Sequence, residues 1–104
     1  MTFHHVGIPS DQPRPGETYL EGGRVYVTDV AASPYRIEWL RFEPGSPMPS
    51  ELKTGPHVAY MVDSLDQAMA GKTVVLEPFV PMPGLRVGFV NDGGAIVEFM
   101  EKTA

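Results

Sequence analysis

Residues 57–67 read His57-Val58-Ala59-Tyr60-Met61-Val62-Asp63-Ser64-Leu65-Asp66-Gln67. A similar run lies near the start of the chain and reads His5-Val6-Gly7-Ile8-Pro9-Ser10-Asp11-Gln12. Each run is followed by an Arg-Val strand start, at Arg24 and at Arg86, and later by an aliphatic-Glu-aromatic strand, Ile37-Glu38-Trp39 and Val97-Glu98-Phe99. Because the same order of segments occurs twice, the sequence predicts two related, β-rich halves.

Short segments rich in β-branched and aromatic residues, bounded by Pro or Gly, predict the strands of both halves. They cover residues 3–8, 24–30, 35–42, 57–62, 74–77, 85–90 and 95–100. A short helix is predicted over residues 65–70, capped by Asp63-Ser64 and stopped at Gly71. At most one helical turn fits around residues 17–21, because Pro and Gly surround it. Asn91-Asp92-Gly93-Gly94 predicts a hairpin turn, since these residues tolerate positive φ.

The length of 104 residues suits a single domain, residues 1–104, and is too short for two independent cores. Pro44-Gly45-Ser46-Pro47-Met48-Pro49 interrupts regular structure and marks the joint between the halves. We therefore divide the chain into module one (1–44), a linker (45–55) and module two (56–104).

Composition excludes several classes of function. The net charge is −5, and the eight Lys and Arg residues are scattered, so neither a nucleic acid nor an anionic membrane is an expected partner. The chain has no cysteine, so any metal must be held by His and carboxylate groups. The first residues lack the pattern of a signal peptide, and no apolar run is long enough to span a membrane, which predicts a cytoplasmic protein.

Residues that recur at matched positions of a pseudo-twofold repeat converge on its axis. One His in the first strand and one Glu in the last strand of each half recur, namely His5, Glu38, His57 and Glu98. Two imidazoles and two carboxylates suit Zn²⁺, Ni²⁺, Co²⁺, Mn²⁺ or Fe²⁺ and leave positions open for water or substrate. The four residues are therefore predicted metal ligands, although a single strand His or Glu is more often an ordinary surface or core residue.

Strand alternation supports this set. It predicts that His5 shares a face with Phe3 and Gly7, and that Glu98 shares one with Ile96 and Met100. A carboxylate at the position of Glu98, in a mostly apolar strand, is costly to bury unless a partner such as a metal is present. His4 is expected on the opposite face from His5 as a supporting or structural residue. Four arginines could hold a carboxylate-bearing substrate or be ordinary exposed strand charges: Arg24, Arg36, Arg41 and Arg86.

On these residues the sequence resembles the vicinal oxygen chelate superfamily, which includes glyoxalase, methylmalonyl-CoA epimerase, extradiol dioxygenases, and fosfomycin- and bleomycin-resistance proteins. Residues 3–8 resemble its opening strand, with the ligand at His5 rather than His4. Residues 55–60 resemble the opening of the second module, with the ligand at His57. Residues 86–99 resemble the final hairpin, with the ligand at Glu98, and Glu38 in the closing strand of the first module is the fourth.

The resemblance implies an α+β fold in which two pseudo-twofold-related βαβββ modules form a curved mixed sheet around a metal site, with reduced helices. It also implies a glyoxalase-like lyase or isomerase that uses a divalent metal to enolise a small oxygenated metabolite, with Glu38 and Glu98 as candidate catalytic bases. The alternatives are a bleomycin-resistance-like binding protein without catalysis, a fosfomycin-resistance-like thiol transferase, or a dioxygenase. Reduced helical cover would expose apolar sheet surface, for which a homodimer is the expected remedy.

Overall fold

The computed structural model describes residues 1–103, which form eight strands and two short α-helices. The strands are β1 Thr2–Pro9, β2 Thr18–Leu20, β3 Val25–Val27, β4 Ile37–Phe42, β5 His57–Met61, β6 Thr73–Met82, β7 Leu85–Asp92 and β8 Ala95–Lys102. The helices are α1 Ser50–Thr54 and α2 Leu65–Met69, and single 3₁₀ turns cover Glu21–Gly23 and Val30–Ala32. Within residues 1–103 no helix has the length and apolar character needed to cross a membrane.

The strands form one sheet in the order β2-β3-β4-β1-β5-β8-β7-β6. The equivalent strands of the two modules are β1 and β5, β2 and β6, β3 and β7, and β4 and β8. Equivalent strands lie at equal distances on either side of the β1–β5 pair, as a pseudo-twofold axis between β1 and β5 requires. The strands β1 and β5 pair antiparallel at the centre, while β1 with β4 and β5 with β8 pair parallel. The predicted α+β fold, a curved mixed sheet with reduced helices, is confirmed.

The structure also corrects the predicted elements. Residues 18–20 form β2 rather than a helical turn, because Tyr19 pairs with Tyr26 of β3 at a ring-centroid distance of 4.8 Å. The predicted linker contains α1, which is held to the sheet by the buried side chain of Leu52. Strand β6 runs to Met82, beyond the predicted end at residue 77. Its prolines are tolerated because β6 is an edge strand.

Helix α2 covers the outer face of module two. As predicted, Ser64 caps it, with its side-chain oxygen accepting a hydrogen bond from the Gln67 backbone N–H at 3.2 Å. A second hydrogen bond, at 3.0 Å, runs from the Leu65 N–H to Glu101 of β8. Leu65 and Met69 then pack against Val90 and Phe99 of the sheet. This apolar layer is separate from the inner face of the sheet, where the site lies.

Module one has a loop, residues 10–17, in place of an outer helix. The guanidinium of Arg14 lies 3.8 Å from the ring centroid of Trp39, which is on the outer face of β4. A cation–π contact therefore covers part of the face that α2 covers in module two. The inner faces of the two modules still match, because alternation along β1, β4, β5 and β8 does not depend on the outer layer.

Candidate metal centre

The four predicted ligands lie on the four central strands. Two small residues make room for them at the middle of the sheet. His5 pairs with Ala59 across the β1–β5 ladder, and Gly7 pairs with His57. Gly7 is also the neighbour of Glu38 on β4, and Ala59 is the neighbour of Glu98 on β8. The two His residues and the two Glu residues thus surround a Gly–Ala pair on the inner face.

The His57 ring lies directly over Gly7. A Cβ atom at residue 7 would overlap the imidazole of His57, so only glycine leaves room for the ring in this position. On its other side the ring has an edge contact with Phe89, with a centroid distance of 5.2 Å. The orientation of His57 is therefore set by packing.

The ligand atoms of the four side chains converge. The Nε2 atom of His5 lies 3.5 Å from a carboxylate oxygen of Glu38 and 3.4 Å from one of Glu98. The Nε2 atom of His57 lies 3.2 Å from the same oxygen of Glu98. His5, Glu38 and His57 each also offer one donor atom within 4.8 Å of those of the other two. The structure thus brings together all four predicted residues, two from each module.

These distances fit a bound cation. Neither Nε2 atom has a hydrogen-bond partner within residues 1–103, although both are buried. His5 and His57 are only 2% and 3% exposed, and polar atoms at such depth usually form a hydrogen bond or bind an ion. Ligand atoms at about 2.1 Å from a tetrahedral cation lie about 3.4 Å apart, and the three His–Glu separations are 3.5, 3.4 and 3.2 Å. That these residues bind a metal remains a prediction.

In the absence of a cation, His5 and Glu98 stabilise each other's charged forms. Burial opposes the charged form of His5, but the carboxylates of Glu38 and Glu98 outweigh it and raise the pKa of His5 to about 9. Burial likewise opposes the charged form of Glu98, but His5 and His57 hold the pKa of this carboxyl well below its usual range. The metal-free site is therefore an ion pair that joins the two modules.

The structure corrects the predicted position of His4. The β1–β5 ladder has a bulge between Phe3 and His5, where two steps along β1 match one step along β5. His4 is the extra residue, and it lines the same cavity as His5 instead of pointing to the opposite face. The bulge also separates Phe3 from His5, since Phe3 pairs with Tyr60 and contacts its ring at a centroid distance of 6.0 Å.

His4 supports His5 directly. The Nδ1 atoms of the two rings are 2.8 Å apart, so one of them donates a hydrogen bond to the other. The His4 backbone carbonyl accepts a hydrogen bond from Arg36, which helps to hold the bulge. When His5 Nδ1–H is the donor, Nε2 is unprotonated and its lone pair faces the carboxylates. The adjacent His-His pair was a signal in the sequence, but ideal strand alternation assigned His4 to the wrong face.

The four arginines considered as substrate-binding residues have other partners. Each makes a contact outside the cavity, Arg24 with Glu43, Arg36 with the His4 carbonyl, Arg41 with Glu17, and Arg86 with Asp66 and Glu101. None of the four lines the cavity. The described residues therefore favour ordinary strand charges over substrate-binding residues for all four.

The site opens into a cavity of about 830 Å³ on the inner face of the sheet. Both modules contribute to it, and the four predicted ligands and His4 all line it. A volume of this size accommodates a small organic molecule. A ligand in the cavity could therefore reach the His and Glu side chains.

No protein-family profile matches the sequence, and no curated protein matches it. Among solved structures, the chain is similar to a hypothetical protein from Bacillus halodurans C-125, with a TM-score of 0.71 and 21% identity over 99% of this chain and 95% of that one. It is also similar to methylmalonyl-CoA epimerase from Mycobacterium tuberculosis, with a TM-score of 0.67 and 20% identity over 99% and 89% of the two chains. At these identities the comparisons establish a shared fold.

Proposed function

We propose that this protein is a metal-dependent isomerase or lyase of the glyoxalase-like kind, acting on a small oxygenated metabolite. His5, Glu38, His57 and Glu98 would hold the divalent cation. The observation that carries the proposal is the convergence of two buried Nε2 atoms, which form no hydrogen bond within residues 1–103, with two carboxylates on the inner wall of a cavity. Membership of the vicinal oxygen chelate superfamily is part of the proposal, and the shared fold with an epimerase supports it.

A divalent cation at this site would supply Lewis-acid polarisation of a carbonyl oxygen, which makes the adjacent C–H group more acidic. The base for that proton must be a carboxylate that the substrate can reach. Glu38 meets this requirement better than Glu98, because its side chain is 19% exposed. Of the two imidazoles, Glu38 contacts only that of His5. The Glu98 side chain is 10% exposed and contacts both imidazoles, as expected of a residue that mainly holds the site together.

In this scheme a carboxylate oxygen of Glu38 accepts the proton from carbon, and the C–H electron pair delocalises into the neighbouring carbonyl group. The Glu38 carboxyl then returns the proton to carbon, either to the same atom or to its neighbour. His5 and His57 are held in position, His5 by its hydrogen bond to His4 and His57 by packing on Phe89. The apolar cavity walls limit the access of water to the carbon acid.

A binding protein without catalysis is the second candidate, because the 830 Å³ cavity could hold a small molecule without transforming it. The two functions differ in one measurable respect. An enzyme that enolises carbonyl compounds exchanges the hydrogen next to the carbonyl group with solvent, whereas a binding protein does not. Hydrogen exchange also distinguishes the proposed enzyme from a thiol transferase, which needs a thiol as a second substrate.

The test begins with elemental analysis of protein purified without a His-tag and reconstituted with Zn²⁺, Ni²⁺, Co²⁺, Mn²⁺ or Fe²⁺. We expect about one ion per chain, and less than about a tenth of that in His57→Ala and Glu98→Ala, since each removes one of the two side chains that form the buried His57–Glu98 contact of the ligand set. Glu51→Ala is the matched control, because Glu51 is an exposed carboxylate of α1. The control should bind metal like the unmodified protein.

The second step measures deuterium uptake from D₂O by a panel of α-hydroxy ketones, using proton NMR. Uptake that requires the metal and is lost in Glu38→Gln supports the isomerase or lyase proposal. Failure of the reconstituted protein to bind any of the metals would overturn the metal-dependent function and favour the binding protein. Full metal binding without exchange in any ketone would contradict enolisation.

A further inference from the structure

The cavity walls differ in character from the metal site. On the module-one side they are formed by apolar side chains of β3 and β4, including Val27 and Phe42. On the module-two side they are formed by β6, β7 and β8, including Phe79, Val87 and Met100. The polar groups of the cavity are therefore concentrated at the ligand cluster and at the rim.

Positive charge is scarce in the cavity. Among residues 1–103, Lys102 is the one Lys or Arg residue that lines it, and its side chain is exposed at the end of β8. Asp29 at the rim is also exposed. At the cluster itself, the two carboxylates of Glu38 and Glu98 balance the charge of a divalent cation. The site thus offers no surplus positive charge with which to bind a phosphate, a nucleotide or a second carboxylate.

Methionine is concentrated in the walls. Four of the six methionines of the chain line the cavity, and these are Met48, Met61, Met82 and Met100. Methionine side chains are flexible and polarisable, so they pack against apolar ligands of different shapes. At the mouth, Val80 and Met82 of the edge strand are 61% and 46% exposed and extend the apolar wall outwards.

From these observations we propose that the ligand of this site has an uncharged, apolar body attached to one small oxygen-bearing head. The inference rests on the proposed function, which places that head at His5, Glu38, His57 and Glu98. The apolar body fills the cavity between β3–β4 and β6–β8. A phosphate head, or a tail whose charge lies between the apolar walls, is rejected, because that charge would lose water without gaining a partner. Lys102 lines the cavity but is exposed at the end of β8.

The experiment is a calorimetric titration of Zn²⁺-loaded protein with straight-chain hydroxamic acids from acetohydroxamate to octanohydroxamate. The hydroxamate group presents two neighbouring oxygens, and the chain probes the walls. We expect the dissociation constant to fall about fourfold for each added methylene until the cavity is full. A matched pair tests charge: succinic monohydroxamate carries a carboxylate where 4-methylpentanohydroxamate carries an isopropyl group. The carboxylate should bind at least about tenfold more weakly.

Two variants test whether the dependence of affinity on chain length comes from the cavity walls. Phe79→Ala removes a ring that lines the cavity, while Phe3→Ala removes a ring from the opposite face of the sheet. We expect Phe79→Ala to weaken octanohydroxamate about tenfold and acetohydroxamate less than about twofold. We expect Phe3→Ala to change neither. Unchanged acetohydroxamate binding would also show that the variants fold with an intact site.

The outcomes separate this inference from the proposed function. Equal affinity for all chain lengths, with zinc-dependent binding of acetohydroxamate, overturns the apolar body and leaves the metal-dependent function standing. A length dependence that is the same with and without Zn²⁺ supports the apolar body and overturns the metal-dependent head. Tighter binding of succinic monohydroxamate than of 4-methylpentanohydroxamate also overturns the inference.

Discussion

The two modules have different outer layers and similar inner faces. Module two has long strands in β6 and β7 and a helix, α2, packed on its outer face. Module one has three-residue strands in β2 and β3 and a loop held by Arg14 over Trp39. Each module nevertheless presents one His and one Glu at equivalent positions of the central strands. The inner face of the repeat can thus be kept while its outer cover changes, because the two faces of a sheet pack independently.

The contacts of the His and Glu side chains also differ between the two modules. His5 has a ring partner in the preceding residue, His4, whereas His57 follows Pro56 and its Nδ1 has no partner within residues 1–103. Glu98 contacts both imidazoles, and Glu38 contacts one. These differences predict distinct roles for residues that the repeat makes look equivalent. Three comparisons between the modules and one pH profile of the metal-free protein test them.

The largest expected effect separates the two carboxylates. Glu38→Gln should retain most of the metal but slow solvent exchange of an α-hydroxy ketone by about 10²–10⁴, the usual contribution of a general base. Glu98→Gln should lose the metal, because the buried Glu98 contacts both imidazoles. Elemental analysis and NMR exchange rates measure the two effects. Equal loss of metal in both variants would show that the carboxylates have the same role.

The next effect concerns pH and the metal-free protein. His5 faces His4, Glu38, His57 and Glu98, and its pKa is raised from 6.5 to about 9. Its stabilising effect is therefore complete below pH 6.5 and is lost as the pH rises through about 9. The lowered pKa of Glu98 gives a stabilising effect that is present above pH 4.5 and lost in acid.

Metal-free protein should accordingly be most stable between pH 4.5 and 6.5. From pH 6.5 to 9, the free energy of unfolding, measured with urea, should fall by about 2–3 kcal/mol. His5→Gln should remove this alkaline decrease, while the exposed variant Glu51→Gln should keep it. A flat profile in the unmodified protein would contradict the ion pair between the modules.

A smaller effect is expected at the residues that precede the two histidines. His4→Phe removes the hydrogen-bond partner of His5 and should weaken Zn²⁺ binding about 10- to 100-fold, as for other residues that orient a ligand. His4→Gln, which keeps a carbonyl acceptor, should recover part of that affinity. Pro56→Ala is the matched control in module two and should have little effect.

Nitrogen-15 NMR of the histidine rings distinguishes orientation from a general structural effect. In the zinc-loaded protein His5 should carry its proton on Nδ1, and His4→Phe should disturb that signal more than the signal of His57. Zinc affinity unchanged in His4→Phe would show that the 2.8 Å contact does not contribute to binding.

The smallest effect compares the small residues between the ligands. Gly7→Ala places a methyl group against the His57 ring and should lower the free energy of unfolding by about 1–2 kcal/mol. Ala59→Gly at the equivalent position of module two removes a methyl group and should cost about 0.5–1 kcal/mol. Urea denaturation measures both values, and Zn²⁺ titration shows that Gly7→Ala alone displaces a ligand. Normal Zn²⁺ affinity in Gly7→Ala would mean that the His57 ring has another position available.

Several features of this protein could be read from the order of its residues. The repeat of His-Val and aliphatic-Glu-aromatic segments predicted the two-part sheet, because alternation along a strand depends only on residue order. The helix at residues 65–69 was predictable from the Ser64 cap, and the final hairpin from Gly93 and Gly94, which have φ angles of +63° and +99°. These are local properties, decided by a few neighbouring residues.

The remaining features were decided by contacts between distant parts of the chain. The bulge at His4 arises from the pairing of β1 with β5, and it turns His4 towards the cavity and Phe3 away from His5. Residues 18–20 became a strand because β3 offers them a hydrogen-bonding edge. The different burial of Glu38 and Glu98 depends on which side chains cover each of them. Pairing, register and burial are properties of the assembled sheet, so local sequence preferences could not determine them.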